Sequence, residues 1–196
     1  MYTVIGTPRT RAFRVLWALE EIGAPYELKL HGPQSPEVRA LNTSGKVPVL
    51  VEGEEAISDS TAIVTYLADK HGQLTASAGT LARARQDALT HLVLDELDAV
   101  LWTAARHSFI LPEEHRVSAV KESLKWEFAR NLARLEARLG GHFLMGDEFT
   151  IADIICGHCL NWAYAAKFPV ESEGMLAYGK RLRARDAYRR VADLAK

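Results

Sequence analysis

The chain has 196 residues, of which 48% are hydrophobic and 25% charged, and its formal net charge is -1 at pH 7, so it can form one large or two small globular domains. The balanced charge argues against nucleic acid or an anionic membrane as a partner, and no apolar run approaches the roughly 18 residues of a membrane span. Two cysteines do not make a disulfide framework, and the first strand begins without a signal peptide, so we expect a cytoplasmic protein with no membrane partner.

The N-terminal part of the chain alternates short strand and helix patterns. Tyr2 to Ile5 is a β-prone run that ends at Gly6, and the following Thr-Pro pair is typical of a helix start with Thr7 as the N-cap. Apolar residues then recur at helical spacing until Gly23 ends the helix. The polar face of this helix carries Arg11, Arg14 and Glu21. A second strand, Tyr26 to Leu30, precedes an irregular segment with at most a short helix.

The stretch from Asn42 to Ile63 predicts a β-hairpin followed by a helix whose N-cap is Ser58 or Asp59. Pro48 lies at the start of the first hairpin strand and cannot donate to a β-ladder. Its peptide bond with Val47 is therefore a candidate for a cis bond. Val47 would then offer its N–H and C=O to a ligand, close to the anion-attracting start of the helix.

The order of elements predicts a two-domain α+β protein. Residues 1–73 give a parallel βαβ unit followed by a ββα unit, which is the thioredoxin-like arrangement, and residues 74–80 form a linker. Residues 81–196 carry only helical patterns. Within them Thr150 and Asp153 form a predicted capping box, and the helix that follows is apolar nearly all round, so we expect it to be buried.

Three motifs, in this order along the chain, are similar to motifs of the cytosolic glutathione transferases: TPRTRAFRVLWALEE, GKVPVL with SDSTAI, and FTIADI. The resemblance covers essentially the whole chain and is to bacterial, theta- or beta-like members. It implies a thioredoxin-like domain joined to an all-helical domain, a homodimer, glutathione as co-substrate, a small electrophile as second substrate and no metal. It also implies transfer of an alkyl or aryl group to the glutathione thiol.

The resemblance also implies the residues of the glutathione site. Lys46 would bind the glycyl carboxylate, Val47 the cysteinyl backbone, and Asp59 with Ser60 the γ-glutamyl end. Pro48 would fix the turn, and Arg11 would contribute charge near the sulfur. The electrophile-binding residues implied in the helical domain are Trp102, Arg106 and His107. An arginine there favours anionic or carbonyl-bearing substrates, although all three side chains could instead be structural.

The reactive species of such an enzyme is the glutathione thiolate. A free thiol has a pKa of about 8.5, and a hydrogen bond to a charged group, worth about 1.5–3 kcal/mol, lowers that pKa by about one to two pH units. Family members use Ser, Tyr or Cys here, whereas this chain has Thr7, which aligns with the theta and zeta serine, and Thr10, which aligns with the beta-class cysteine. Thr10 is favoured as the catalytic residue because Thr7 is expected to cap the helix. The alternative that both threonines only cap the helix stays open.

The sequence contains a second cysteine pattern and is compatible with other functions. Cys156 and Cys159, with the two residues between them, match a Cys-x-x-Cys dithiol motif. They lie inside a predicted buried helix, so we expect them to be core residues. A single nearby histidine gives no reason for a metal site. Dithiol exchange at the first helix is excluded because threonines stand at both positions. The remaining alternatives are a glutathione-dependent isomerase, dehalogenase or peroxidase, and a non-catalytic binding protein of the same fold.

Overall fold

The computed structural model describes residues 1–196. The strands are β1 Tyr2–Ile5, β2 Tyr26–Lys29, β3 Val49–Glu52 and β4 Glu55–Ser58. The α-helices are α1 Ala12–Ile22, α2 Pro36–Leu41, α3 Ser60–His71, α4 Leu81–Val93, α5 Ala99–Ala105, α6 Val120–Glu136, α7 Ile151–Ala165, α8 Glu173–Arg183 and α9 Asp186–Leu194. None of the helices combines the length and the apolar character that a membrane crossing requires.

Internal contacts divide the chain into two units, and each is described by itself. The sheet unit comprises Met1–Arg83 and Arg183–Lys196, and the helical unit comprises Ala84–Leu182. The sequence predicts a helical domain from residue 81 onward, whereas α9 belongs to the sheet unit because it packs on α1. Two ion pairs join these helices, Arg185 with Glu21 and Arg190 with Glu20. The sequence pattern of α9 gave no indication of the surface that it would cover.

The sheet has the order β2-β1-β3-β4, with β1 parallel to β2 and the other two pairs antiparallel. This is the predicted βαβ unit followed by a β-hairpin and a helix, so the thioredoxin-like fold class is confirmed. Helix α1 packs against both α3 and α9, and the side chains of Leu16, Trp17 and Leu19 on α1 are fully buried. Burial of such side chains is the main stabilising contribution, about 1.5–3 kcal/mol each.

The first helix begins later than the sequence predicts. Residues 8–11 form turns, α1 starts at Ala12, and no side chain caps it at Arg11. The prediction that Thr7 is the N-cap is therefore wrong. Thr10 closes the turn instead: its hydroxyl donates to the Thr7 carbonyl at 2.7 Å and accepts from the Ala12 N–H at 3.2 Å. These two bonds replace a conventional N-cap.

The helical unit is built around α7, whose residues Ile154, Ile155 and Ala163 have no exposed surface. The predicted capping box at its start is present, formed by Thr150 and Asp153. The helix that begins at Leu81 continues to residue 110 but is not a regular α-helix. Two π-helical segments, Leu94–Asp98 and Arg106–Ile110, flank α5. Such segments are rare and frequently occur at functional sites.

Candidate functional site

One end of the sheet brings together three chain segments that the sequence analysis singled out. Val49 on β3 pairs with Ile5 on β1 and with Ser58 on β4. The residues just beyond these partners therefore lie side by side at the same edge. They are Gly6 and Thr7 after β1, Val47 and Pro48 before β3, and Asp59 and Ser60 after β4.

The Val47–Pro48 peptide bond is cis, as the sequence predicted. Pro48 is buried, Val47 is half-buried, and neither the N–H nor the C=O of Val47 takes part in a backbone hydrogen bond outside the regular elements. The loop before this bond is held from within, because Asn42 Nδ2 donates to the Lys46 carbonyl at 2.9 Å. The Lys46 side chain is exposed. This edge therefore presents an amide, a carbonyl and a lysine in close succession.

Gly6 allows the first strand to approach this loop closely. Its φ is 148°, and a Cβ built on it would lie 2.9 Å from the Ala12 Cβ and 3.3 Å from the Val47 Cβ. Contacts that short require a neighbour to move, and the φ value is one that side-chain-bearing residues rarely adopt. Glycine at this position thus fixes the distance between Thr7 and the Val47 edge.

We expect Gly6→Ala to lower the melting temperature, because overpacking costs about 1–3 kcal/mol and the shift is about 2–4 °C for each kcal/mol. Thermal melting would measure the shift. Gly32→Ala is the matched control, since a Cβ at that position meets nothing within 4 Å. An unchanged melting temperature for Gly6→Ala would contradict this role of the close contact.

The two threonines differ in how their hydroxyl groups are used. Both side chains are half-buried. The Thr10 hydroxyl proton is engaged by the Thr7 carbonyl, whereas no hydrogen bond involves the Thr7 hydroxyl. The sequence favours Thr10 because Thr7 is expected to cap the helix, but in the structure Thr7 does not cap it and the Thr10 hydroxyl closes the turn. Arg11, the remaining candidate in this turn, is half-buried and lies immediately before α1.

Asp59 adopts a strained backbone at the start of α3. Its φ and ψ are 73° and 120°, and its carboxylate Oδ1 accepts from the N–H groups of Thr61 and Ala62 at 2.8 and 3.0 Å. Asp59 is thus the N-cap, as one of the two sequence alternatives had it. A non-glycine residue in such a conformation costs about 1–3 kcal/mol, and such residues cluster at ligand-binding positions.

Ser60 is 3% exposed and receives a hydrogen bond from a residue that sequence reasoning missed. The Arg14 guanidinium donates through Nη1 to Ser60 Oγ at 3.3 Å. The helical pattern placed Arg14 on the polar face of α1, yet it is only 1% exposed, because α3 and α9 cover that face. Only the tertiary packing of α1 reveals this arginine beneath Ser60.

The three candidates for electrophile binding, Trp102, Arg106 and His107, are all half-buried in the helical unit. Arg106 and His107 belong to the second π-helical segment, and Trp102 lies on α5. Arg106 Nη2 donates to Thr103 Oγ1 at 2.8 Å, while its Nε is buried and has no hydrogen-bond acceptor. His107 Nδ1 accepts from the Val117 N–H at 3.1 Å, so a neutral ring carries its proton on Nε2.

A buried polar network surrounds the capping box of the helical unit. The Asp153 carboxylate accepts from the N–H groups of Leu144 and Thr150, both at 2.9 Å, and from the Tyr178 hydroxyl at 2.8 Å. Burial raises the pKa of Asp153, and the hydrogen bonds that it accepts oppose this rise. Burial also raises the pKa of Tyr178, and the neighbouring Cys156 and Asp153 raise it further. Cys156 and Cys159 form no disulfide and have no exposed surface, as expected for core residues.

Comparison with known proteins gives concordant matches over both units. The family model described as glutathione S-transferase, N-terminal domain, matches residues 10–70, and the corresponding C-terminal domain model matches residues 80–194. A zeta-class glutathione S-transferase from Euphorbia esula is 30% identical over 193 residues, which span 93% of this chain and 82% of the relative.

Two solved structures are similar over nearly their whole length. A theta-class glutathione S-transferase from Xanthomonas axonopodis pv. citri, with glutathione bound, is 28% identical with a TM-score of 0.79, covering 96% of this chain and 95% of the other. A glutathione transferase from Methylococcus capsulatus has a TM-score of 0.86 at 23% identity, covering 100% and 98% of the two chains, and supports the fold alone.

Proposed function

The chain belongs to the glutathione S-transferase family, and from this premise we propose that it binds glutathione at the Val47 edge and stabilises its thiolate for attack on a small electrophile. The observation that carries the proposal is the unpaired backbone of Val47 beside cis-Pro48, held against Gly6. An extended peptide can add to such a backbone as a further strand would. The cysteinyl residue of glutathione then lies next to the turn that begins at Thr7.

The charged groups at the two ends of glutathione lie against protein groups of complementary charge. At the γ-glutamyl end, the N–H and hydroxyl of Ser60 donate to the carboxylate, and the Arg14 guanidinium behind Ser60 adds positive charge. The Asp59 carboxylate, whose Oδ1 caps α3, accepts from the γ-glutamyl ammonium through Oδ2. At the glycyl end, Lys46 binds the carboxylate.

Lys46→Met is expected to raise the dissociation constant for glutathione about 1.4- to fivefold, because an exposed ion pair contributes about 0.2–1 kcal/mol. The difference from the unsubstituted protein should shrink as salt is added, since salt screens exposed charges. Titrations at low and high ionic strength would measure both effects. Lys180→Met, an exposed lysine on α8, serves as the control. A salt-independent loss would instead indicate that Lys46 orders the loop.

The thiolate is stabilised at the turn before α1. The Thr7 hydroxyl is the better donor, because donation by Thr10 to a sulfur would first break its bond to the Thr7 carbonyl. Thr10 then shapes the turn through its bond to the Thr7 carbonyl. If Thr7 is not the donor to the sulfur, Thr10 is the alternative donor. Arg11 adds positive charge near the sulfur. Together these groups lower the pKa of the bound thiol towards neutrality.

The electrophile contacts the helical unit at Trp102, Arg106 and His107. The buried Nε–H of Arg106 has no acceptor within the protein, so an oxygen of the substrate is its natural partner. The Nε2–H of neutral His107 is a second donor, and Trp102 offers an aromatic surface. This donor set favours electrophiles that carry a carbonyl or an anionic oxygen.

The decisive experiment measures glutathione binding by titration and conjugation to a chlorodinitrobenzene and to an unsaturated carbonyl compound. Binding with conjugation supports the proposal. Binding without conjugation, together with glutathione-dependent isomerase, halide-release or peroxidase activity, would assign the site to one of those reactions. No binding at millimolar glutathione would make the chain a non-catalytic member of the family.

We further propose that the protein is a homodimer located in the cytoplasm. Light scattering of the purified chain would test whether it is a dimer.

A further inference from the structure

The second unit contains a cluster of metal-binding side chains that the proposed transferase reaction does not use. Asp98, His158 and Cys159 each place one ligand atom within 4.8 Å of the other two. Asp98 is 8% exposed and Cys159 has no exposed surface, while His158 is half-buried. We propose that these three residues bind one divalent transition-metal ion of the zinc type.

The donor set fits such an ion. Thiolate, imidazole and carboxylate are the three ligand types that zinc takes in proteins. In a tetrahedral site the bond lengths of about 2.0–2.3 Å place ligand atoms about 3.3–3.5 Å apart. The Cys159 Sγ lies 3.9 Å from the Asp98 Oδ2. A contraction of about 1.5 Å or less between any two ligand atoms, within reach of side-chain rotation, would therefore form the site.

The charges also favour a metal at this depth. A divalent cation bound by one thiolate, one carboxylate and a neutral imidazole gives a site with no net charge, which lowers the cost of burial. The Cys159 thiol releases its proton to solvent when the metal–sulfur bond forms. Magnesium and calcium are not expected to bind, because they prefer oxygen ligands. Of the three ligands, His158 has the most exposed surface.

The backbone supplies an independent indication. Asp98 is the last residue of the first π-helical segment, which interrupts an otherwise continuous helix. A π-helical turn redirects the side chains beside it and is frequent at functional sites. His158 and Cys159 lie on α7, and the His158 ring packs edge-on against Trp162 with centroids 6.1 Å apart. A bound ion would thus join the π-helical segment to the buried helix.

Sequence motifs based on the spacing of metal ligands do not identify this site, because Asp98 and Cys159 are 61 positions apart in the sequence. The sequence places the two cysteines in one buried helix and gives no indication of a partner on another helix. In the structure the two cysteines have different partners. Cys156 interacts with Tyr178 in the Asp153 network, and Cys159 faces Asp98. Cys156 is therefore a matched control for Cys159 on the same helix.

Cobalt(II) titration of the reduced, chelator-treated full-length protein tests the proposal. We expect a thiolate-to-cobalt charge-transfer band that saturates at one ion per chain and disappears when zinc is added. Zinc, but not magnesium, should raise the melting temperature. A titration of the unsubstituted protein without a charge-transfer band would overturn the assignment.

Variants assign the band to individual ligands. Cys159→Ser should abolish it, Asp98→Asn should weaken cobalt binding about tenfold or more, and Cys156→Ser should leave it unchanged. If Cys159→Ser does not fold, as judged by circular dichroism, His158→Gln takes its place and should likewise abolish the tetrahedral cobalt spectrum. A band that survives Cys159→Ser, or one that Cys156→Ser removes, would refute the site.

Discussion

Asp153→Ala is expected to lower the free energy of unfolding by about 3–5 kcal/mol, a large part of the 5–15 kcal/mol typical of a folded domain. The carboxylate is the acceptor for two backbone N–H groups and the Tyr178 hydroxyl, and alanine leaves these buried donors unsatisfied. Each such group costs about 1–3 kcal/mol. Thermal melting should show a decrease of about 6–20 °C, and urea unfolding should show a lower midpoint.

The control for this prediction is Asp147→Ala. Asp147 is an exposed carboxylate whose hydrogen-bond partner is His142 on the same surface loop. This variant should melt at the same temperature as the unsubstituted protein. If Asp153→Ala also melts within a degree or two of it, the buried network does not hold the start of α7.

The same residue gives a pH dependence of known sign. The folded-state pKa of Asp153 lies above its unfolded-state value. The folded state therefore holds the proton more tightly, and the stability contributed by this group is complete below the unfolded pKa of about 3.9. It is lost as the pH rises through the folded pKa. The stability difference between the unsubstituted protein and Asp153→Asn, which cannot titrate, should accordingly decrease from acid towards neutral pH in urea titrations.

Thr7→Val is expected to lower kcat/KM about 10- to 150-fold near neutral pH. Valine has nearly the same shape but no hydroxyl, so the bound thiolate loses a hydrogen bond worth about 1.5–3 kcal/mol. The rise of kcat/KM with pH should move upward by about one to two pH units, while glutathione affinity changes little. A pH profile with a chlorodinitrobenzene, combined with glutathione titration, separates these effects.

Thr10→Val distinguishes the two possible donors. It removes the hydroxyl that bridges the Thr7 carbonyl and the Ala12 N–H, so it should lower the melting temperature. If Thr7 is the donor, the thiol pKa should stay near its original value in this variant. A raised thiol pKa in Thr10→Val and an unaltered one in Thr7→Val would instead assign the hydrogen bond to Thr10.

Most of the fold was predictable from the sequence because local patterns and tertiary packing agree. Glycine at residue 23 ends α1 in a left-handed conformation, and the capping box starts α7 where the motif predicts it. The start of α1 was mispredicted because a threonine followed by proline satisfies the usual N-cap rule. The chain instead passes through four turn residues, closed by the Thr10 hydroxyl, before the helix begins.

The candidate site was predictable only where a motif identifies it. Residue type and position made the Val47–Pro48 bond a candidate for a cis bond and limited the cap to Ser58 or Asp59, of which the structure has Asp59. Arg14 did not, because helical periodicity assigns a polar residue to solvent, and only α3 and α9 bury it. The cluster of Asp98 with His158 and Cys159 could not be predicted from the sequence either, since no local pattern relates residues of two different helices.

The two π-helical segments also affect how this chain is aligned with its relatives. A π-helical ring encloses one more residue than an α-helical ring, so each segment displaces all later side chains by about 100° around the helix axis. An ungapped alignment to a relative with an uninterrupted helix would therefore match Trp102 to a residue on a different face. After Ile110 the error would accumulate to two positions. Equivalent residues along this helix should be assigned by superposition rather than by counting.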